Sequence, residues 1–328
     1  MNLDRALPAL DVTYSDAELN SLLTDPDVLA VIGFGAAAPQ SADSRYLRVG
    51  LEPLGGRAPF EVWRAPGGIT HGREGALHWA GSPDYCFGSI EVAEADYPDL
   101  ATATEAAYAE LSRFTVARQW PHLLRIWNYL AAINEGDGDA ERYKHFCTGR
   151  SAGMRCLHHQ GFSAASAIGR SDGEAVLQVY WLGARACGVA VENPRQVSAW
   201  RYPRQYGPTS PTFARAMRGP CVPAQLHISG TAAVVGHQSL HKGDLSAQLD
   251  ETFANLDSLL ASAGNLGGFA AGSVVKAYVR HREDLEPAER LLKQRLPDDA
   301  KRLLLLGDIC RAELLIELDG IHTLTAAP

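Results

Sequence analysis

Arginine, tyrosine and one isolated glutamate are the residues of this chain whose types and spacing suggest chemistry. Residues 125–150, RIWNYLAAINEGDGDAERYKHFCTGR, gather Trp127, Asn128, Tyr129, Asn134, Glu135, Arg142, Tyr143 and Arg150 around a glycine-rich loop. Such a mixture is costly to bury without a polar client. Residues 193–215, NPRQVSAWRYPRQYGPTSPTFAR, alternate Arg195, Arg201, Arg204 and Arg215 with Trp200, Tyr202 and Tyr206. Guanidinium forks grip carboxylates through paired hydrogen bonds, and phenols add fixed donors around a ring. A polar interface between domains, with arginine stacked on tyrosine, accounts for the same composition equally well. The glutamate is Glu317, in Leu314-Leu315-Ile316-Glu317-Leu318-Asp319. Its apolar neighbours make this an unusual place for a merely solvated carboxylate.

Other familiar motifs fail on their surroundings. Gly33, Gly35 and Ala38 have the GxGxxA spacing of a dinucleotide turn. Pro39, Ser41, Asp43 and Ser44 then interrupt the helix whose N-terminus would hold a pyrophosphate, so the segment reads as a plain strand and turn. His237 with His241, and the adjacent His158 and His159, have no cysteine or carboxylate beside them at zinc spacing. No GxSxG elbow occurs. No metal is expected.

Composition narrows the classes further. The chain of 328 residues is 46% apolar and 21% charged, room enough for two soluble domains. A net charge of −8 with dispersed Lys and Arg argues against nucleic acid as a partner. No apolar run approaches the roughly 20 residues that span a bilayer. Six cysteines without CxxC pairing fit reduced thiols, and a cytoplasmic location is expected.

The elements that must position these residues are clearest in residues 226–260. Residues 228–232 read as a strand that ends in a tight turn, and Asp244 starts a helix. Leu245, Leu249, Phe253, Leu256, Leu259 and Leu260 form one apolar stripe on it. Residues 273–279 alternate as a strand, 285–296 read as a second helix, and 302–319 hold further strand. Residues 88–114 echo this order, with EAAYAEL set as DETFANL is later, which implies a degenerate internal repeat. Prolines 203, 208, 211 and 220 mark a loop-rich connection, so the expected domains are residues 1–220 and 221–328.

The SGTA turn, the GD helix start and the Gln248, Thr252, Asn255, Leu256 series resemble the RidA (YjgF) superfamily. That resemblance implies an α+β chain of two RidA-like units, each a mixed sheet with helices on one face. IWNYL, INE, ERYKHFCTGR, ENPRQVSAWRYPRQYGP and ISGTA followed by VGH together resemble the chorismatase family, over residues 87–320. The family cleaves the enolpyruvyl ether of chorismate and releases pyruvate. Within it the chain most resembles the bifunctional members of pigment and quinone pathways, which form 3- and 4-hydroxybenzoate. The resemblance implies Glu317 as proton donor, placed in the last strand. It also implies Tyr143, Arg150, Tyr202 and Arg215 as ligands of the carboxylates and ring substituents. Arg311 is a further candidate, because in an unbroken strand it would face the same side as Glu317. Arg204 and Tyr206 are alternatives from the same motif. No cofactor is needed, because the electrons balance within chorismate. The alternatives are a RidA-like imine or enamine deaminase working from the C-terminal half alone, a hydrolase stopping at the dihydroxycyclohexadiene acid, and a small-carboxylate sensor. A monomer or a RidA-like trimer is expected.

Overall fold

Two aspartates open the two long helices. Asp99 accepts from the Thr102 amide and Asp244 from the Ala247 amide, satisfying donors that have no partner inside a first helical turn. The helix Leu100–Ala117 then buries Ala103, Ala107, Leu111 and Phe114, and the helix Leu245–Ser262 buries Leu249, Phe253, Leu256 and Leu260. Each stripe joins the apolar face of one seven-stranded sheet. The structure is a computed structural model that describes residues 6–264, 268–270 and 272–324. The side chains of His158 and His159 lie outside the described residues.

The first sheet runs, in spatial order, Asp308–Ile309, Ala164–Arg170, His122–Ala131, Val176–Ala184, Tyr85–Ala93, Leu77–Gly81 and Thr70–Glu74. The second runs Val189–Val191, Ala216–Arg218, Gln225–Thr231, Ile316–Thr323, Val274–Val279, Lys301–Leu306 and Glu52–Pro53. Each holds one parallel pair, His122–Ala131 beside Ala164–Arg170 and Val274–Val279 beside Lys301–Leu306. A parallel pair needs a crossover, and the helices Arg142–Gly153 and Leu285–Arg295 supply it. The internal repeat is therefore real at the level of topology: two α+β units of the same build follow one another.

Two features differ from the sequence reading. The chain passes from the first sheet to the second between Ala184 and Val189 rather than near residue 220. The prolines between residues 203 and 220 do not form a linker. They shape a folded wall between the units, with short turns at Ala199–Arg201 and Arg204–Tyr206. Residues 11–64 add a four-stranded sheet, ordered Asp11–Ser15, Phe60–Arg64, Val28–Phe34 and Tyr46–Val49, which the sequence did not announce.

All three sheets meet in one core that contains Leu29, Trp63, Tyr180, Tyr278 and Ile321. Its centre is polar. Lys276 Nζ lies 2.9 Å from Glu61 Oε2, and Arg125 Nη2 lies 2.8 Å from Asp319 Oδ2. The Tyr129 hydroxyl stands 3.1 Å from those of both Tyr180 and Tyr278. Every sheet contributes a charged group here, and burial makes each dependent on its partner.

Candidate active site

Ile316–Thr323 lies in the middle of the second sheet, between Gln225–Thr231 and Val274–Val279. Glu317 therefore projects from a central strand, and it is 5% exposed. Burial is the main force on its carboxyl. The Asp319 charge, two residues along on the same face, adds to it, while Arg125, Arg215 and Arg280 oppose. The balance pushes its pKa up from 4.5 to about 8. Room for the carboxyl comes from a glycine: a Cβ on Gly230 would lie 1.9 Å from Glu317 Oε1.

Glu317 borders a cavity of about 320 Å³ that both units line. From the first unit come Asn134, Tyr143 and Lys144, and from the second Gly230, Ala232, Cys310 and Arg311. Tyr202, Tyr206, Phe213 and Arg215 come from the proline-rich wall. Of the residues marked from sequence, Glu317, Tyr143, Tyr202, Arg215 and Arg311 thus come together. Arg215 Nη2 donates to the Tyr202 hydroxyl at 2.6 Å and to the Val197 carbonyl at 2.8 Å, and its Nε has no partner among the described residues. Arg150 is not among the lining residues. It lies two helical turns beyond Tyr143, on the same face, with its guanidinium 5.5 Å from the centre of the Tyr108 ring. Its Nε and Nη2 are buried without partners among the described residues. Arg311 lies outside any strand: the chain leaves the first sheet at Ile309 and enters the second at Ile316, and Arg311 reaches the cavity from the loop between. Its guanidinium stacks on Tyr206 at 4.2 Å and donates to the His237 carbonyl at 2.8 Å. Of the alternatives, Tyr206 lines the cavity, whereas Arg204 is exposed and paired with Asp139.

Several contributors were not marked as site residues from the sequence, although Gln248 and Asn255 stood in the motif of the second long helix. Arg280 fixes the loop that carries Cys310 and Arg311, donating to the carbonyls of Ile309, Arg311 and Leu314 and pairing with Asp308 at 2.8 Å. Gln248 holds the same loop through the Glu313 carbonyl and the Leu315 amide. Asn255 holds the end of the glycine-bearing strand through the carbonyls of Ala232 and Val234. The buried polar positions of the Leu245–Ser262 helix therefore serve the site. Burial and the Glu317 charge push the Cys310 thiol up to about 12, so it stays neutral. Among the described residues no cluster of His, Cys, Asp and Glu could hold a metal, His237 and His241 included.

Fold and site together define an α+β enzyme whose buried acid and arginine-bearing cavity sit at the junction of two repeated units. The chain belongs to the chorismatase family. Residues 61–183 match the family described as Chorismatase FkbO/Hyg5-like, N-terminal. A chorismatase of Streptomyces rapamycinicus is 36% identical over 276 residues, which cover 80% of this chain and 81% of that protein. A 3-hydroxybenzoate synthase of Streptomyces hygroscopicus is 32% identical over 315 residues, 90% of this chain and 91% of that protein. A crystal structure of a chorismatase superposes with a TM-score of 0.85 at 31% identity, covering 97% of this chain and 100% of the other.

Proposed function

We propose that this chorismatase converts chorismate to 3-hydroxybenzoate and pyruvate, with 4-hydroxybenzoate as a second aromatic product. The observation that carries the proposal is the buried, neutral Glu317 beside a cavity whose Arg215 and Arg311 lack carboxylate partners among the described residues. Chorismate is a dianion, and guanidinium groups that pair with no carboxylate among the described residues suit its two carboxylates. Arg215 with Tyr202 is assigned to one carboxylate, with Arg311 at the same wall. Tyr143, which lines the cavity, is assigned to the other, with the buried Arg150 further along the same helix face as its source of positive charge.

Cleavage begins when the neutral Glu317 carboxyl gives its proton to the terminal methylene carbon of the enolpyruvyl ether, leaving a carboxylate beside an oxocarbenium. The nearby arginines favour that carboxylate as it forms. A ring oxygen then displaces the pyruvyl group and the ring aromatises to 3-hydroxybenzoate. Elimination of the whole pyruvyl oxygen gives 4-hydroxybenzoate. The ring proton lost on aromatisation restores the Glu317 acid, so hydroxybenzoate and pyruvate together account for every atom of chorismate. A cavity that holds water away from the oxocarbenium favours this outcome over the dihydro diol.

Incubation of purified protein with chorismate, followed by separation of aromatic products and a pyruvate assay, tests the proposal. Equal amounts of pyruvate and hydroxybenzoate are expected, with 3-hydroxybenzoate present. A dominant diol would remove the aromatic products from the account, and no pyruvate would remove the reaction.

A further inference from the structure

The catalytic cavity has a counterpart across the molecule. Tyr129 and Tyr278 occupy equivalent places in the two repeats, and their hydroxyls meet at 3.1 Å. The residue paired with Tyr278 on the neighbouring strand is Glu317, and the residue paired with Tyr129 is Gln178. The loop that follows Lys301–Leu306 borders the catalytic cavity, and the loop that follows Ala164–Arg170 borders a different one, of about 950 Å³. The opposite wall of the catalytic cavity follows the strand His122–Ala131, and that of the second cavity follows Val28–Phe34 in the four-stranded sheet. In both sheets that strand is the long partner of the parallel pair.

What stands in the acid's place cannot donate a carboxyl proton. The Gln178 amide nitrogen is spent on the Arg48 carbonyl at 2.9 Å and the Glu91 carboxylate at 3.0 Å, both in the cleft wall. Four carboxylates border the cleft: Glu91 accepts from the Gln178 amide, Glu174 is exposed without an ion pair among the described residues, and the other two are paired. Asp172 pairs with Arg170 at 2.6 Å and Glu52 with Arg282 at 2.6 Å. The Arg170 side chain is 7% exposed and keeps Nη1 without a partner among the described residues. Arg48 forms no ion pair among the described residues and is exposed. Tyr46, Leu47, Ile90 and Val176 give the same wall an apolar surface.

We propose that this cleft between residues 35–50 and the first sheet is a second, non-reactive binding site for a small aromatic carboxylate. The carboxylate meets Arg48 and the inner edge of Arg170, and the ring lies on the apolar wall. The proposal concerns binding alone and stands apart from the catalytic reading.

Calorimetric titration of benzoate and 3-hydroxybenzoate into the Arg215→Ala protein isolates the cleft, because that change removes a clamp of the other cavity. One saturable site is expected. Arg48→Glu, on the exposed rim, and Ala36→Trp, which fills the mouth, are each expected to raise its Kd by about tenfold or more. Made alone in the otherwise unchanged protein, each of the two should leave chorismate turnover at the wild-type level. Absence of binding by the Arg215→Ala protein, or binding that neither added change weakens, would overturn the proposal. Failure of the wild-type protein to turn over chorismate would leave these titrations as informative as before.

Discussion

A carboxyl group delivers a proton only while it is neutral, and Glu317 stays neutral to about pH 8 because burial and Asp319 both disfavour its charge. Turnover should therefore fall as pH rises through about 8. The same shift bears on stability. A folded pKa raised from 4.5 to about 8 gives a contribution that is full below 4.5 and lost as pH climbs through 8. Melting temperatures taken across that window should fall more steeply for the wild-type protein than for Glu317→Gln. The amide keeps the shape but cannot give up the proton, so the variant should bind chorismate and lose turnover by about a hundredfold to ten-thousandfold. Wild-type pyruvate release from Glu317→Gln would rule the residue out as the acid. The arginines make a different prediction. Arg150→Ala and Arg215→Ala should weaken chorismate binding by roughly 2 to 5 kcal/mol each, and lysine should restore only part because it lacks the fork. Calorimetry in the Glu317→Gln background checks this, and unchanged affinity in both would take the pair out of the site.

Elements decide whether those residues meet. The helix Arg142–Gly153 carries Tyr143 and Arg150, and it packs on Leu100–Ala117 through two glycines. A Cβ on Gly149 would lie 2.1 Å from the Ala101 carbonyl oxygen, and one on Gly153 would lie 2.6 Å from that of Glu105. Backbone atoms cannot step aside as a side chain can. Gly149→Ala should cost about 1 to 3 kcal/mol in denaturant unfolding and raise the KM for chorismate by moving the arginine. A variant of wild-type stability and KM would contradict that packing. Much of this layer was legible in the sequence. Apolar stripes and aspartate caps announced both long helices, and EAAYAEL against DETFANL announced the repeat. The Arg/Tyr clusters and Glu317 stood out because their polarity conflicted with burial. The loop anchor Arg280 gave no such signal, since its work is done through carbonyls distant in sequence. Gly230 and Gly149 were silent because a glycine's role is set by what approaches it. The four-stranded sheet was missed because its strands complete themselves only against the other two sheets.

At the scale of the whole molecule, three sheets close on a polar centre, and its ion pairs hold the units in register around the cavity that Glu317 borders. Lys276 and Glu61 join the second unit to the N-terminal sheet. Burial works against the lysine charge, and Glu61 with Asp319 outweighs it and raises the lysine pKa. Glu61→Gln alone strands a buried cation and should cost about 3 to 5 kcal/mol, while Glu61→Leu with Lys276→Met should cost far less. Equal losses in the two proteins, compared by denaturant unfolding, would show that the pair does not act as a unit. The central claim is that an enzyme-held acid at the junction of the two units protonates the enolpyruvyl methylene. Brief turnover in deuterated water, with the released pyruvate reduced to lactate as it forms, tests this most directly. The account predicts one deuterium in the methyl group, delivered through the exchangeable Glu317 carboxyl. With excess protein exchanged beforehand, so that each molecule turns over once before any ring proton returns to Glu317, a methyl group without deuterium would mean that the hydrogen passes directly from the substrate's own ring, and would contradict it.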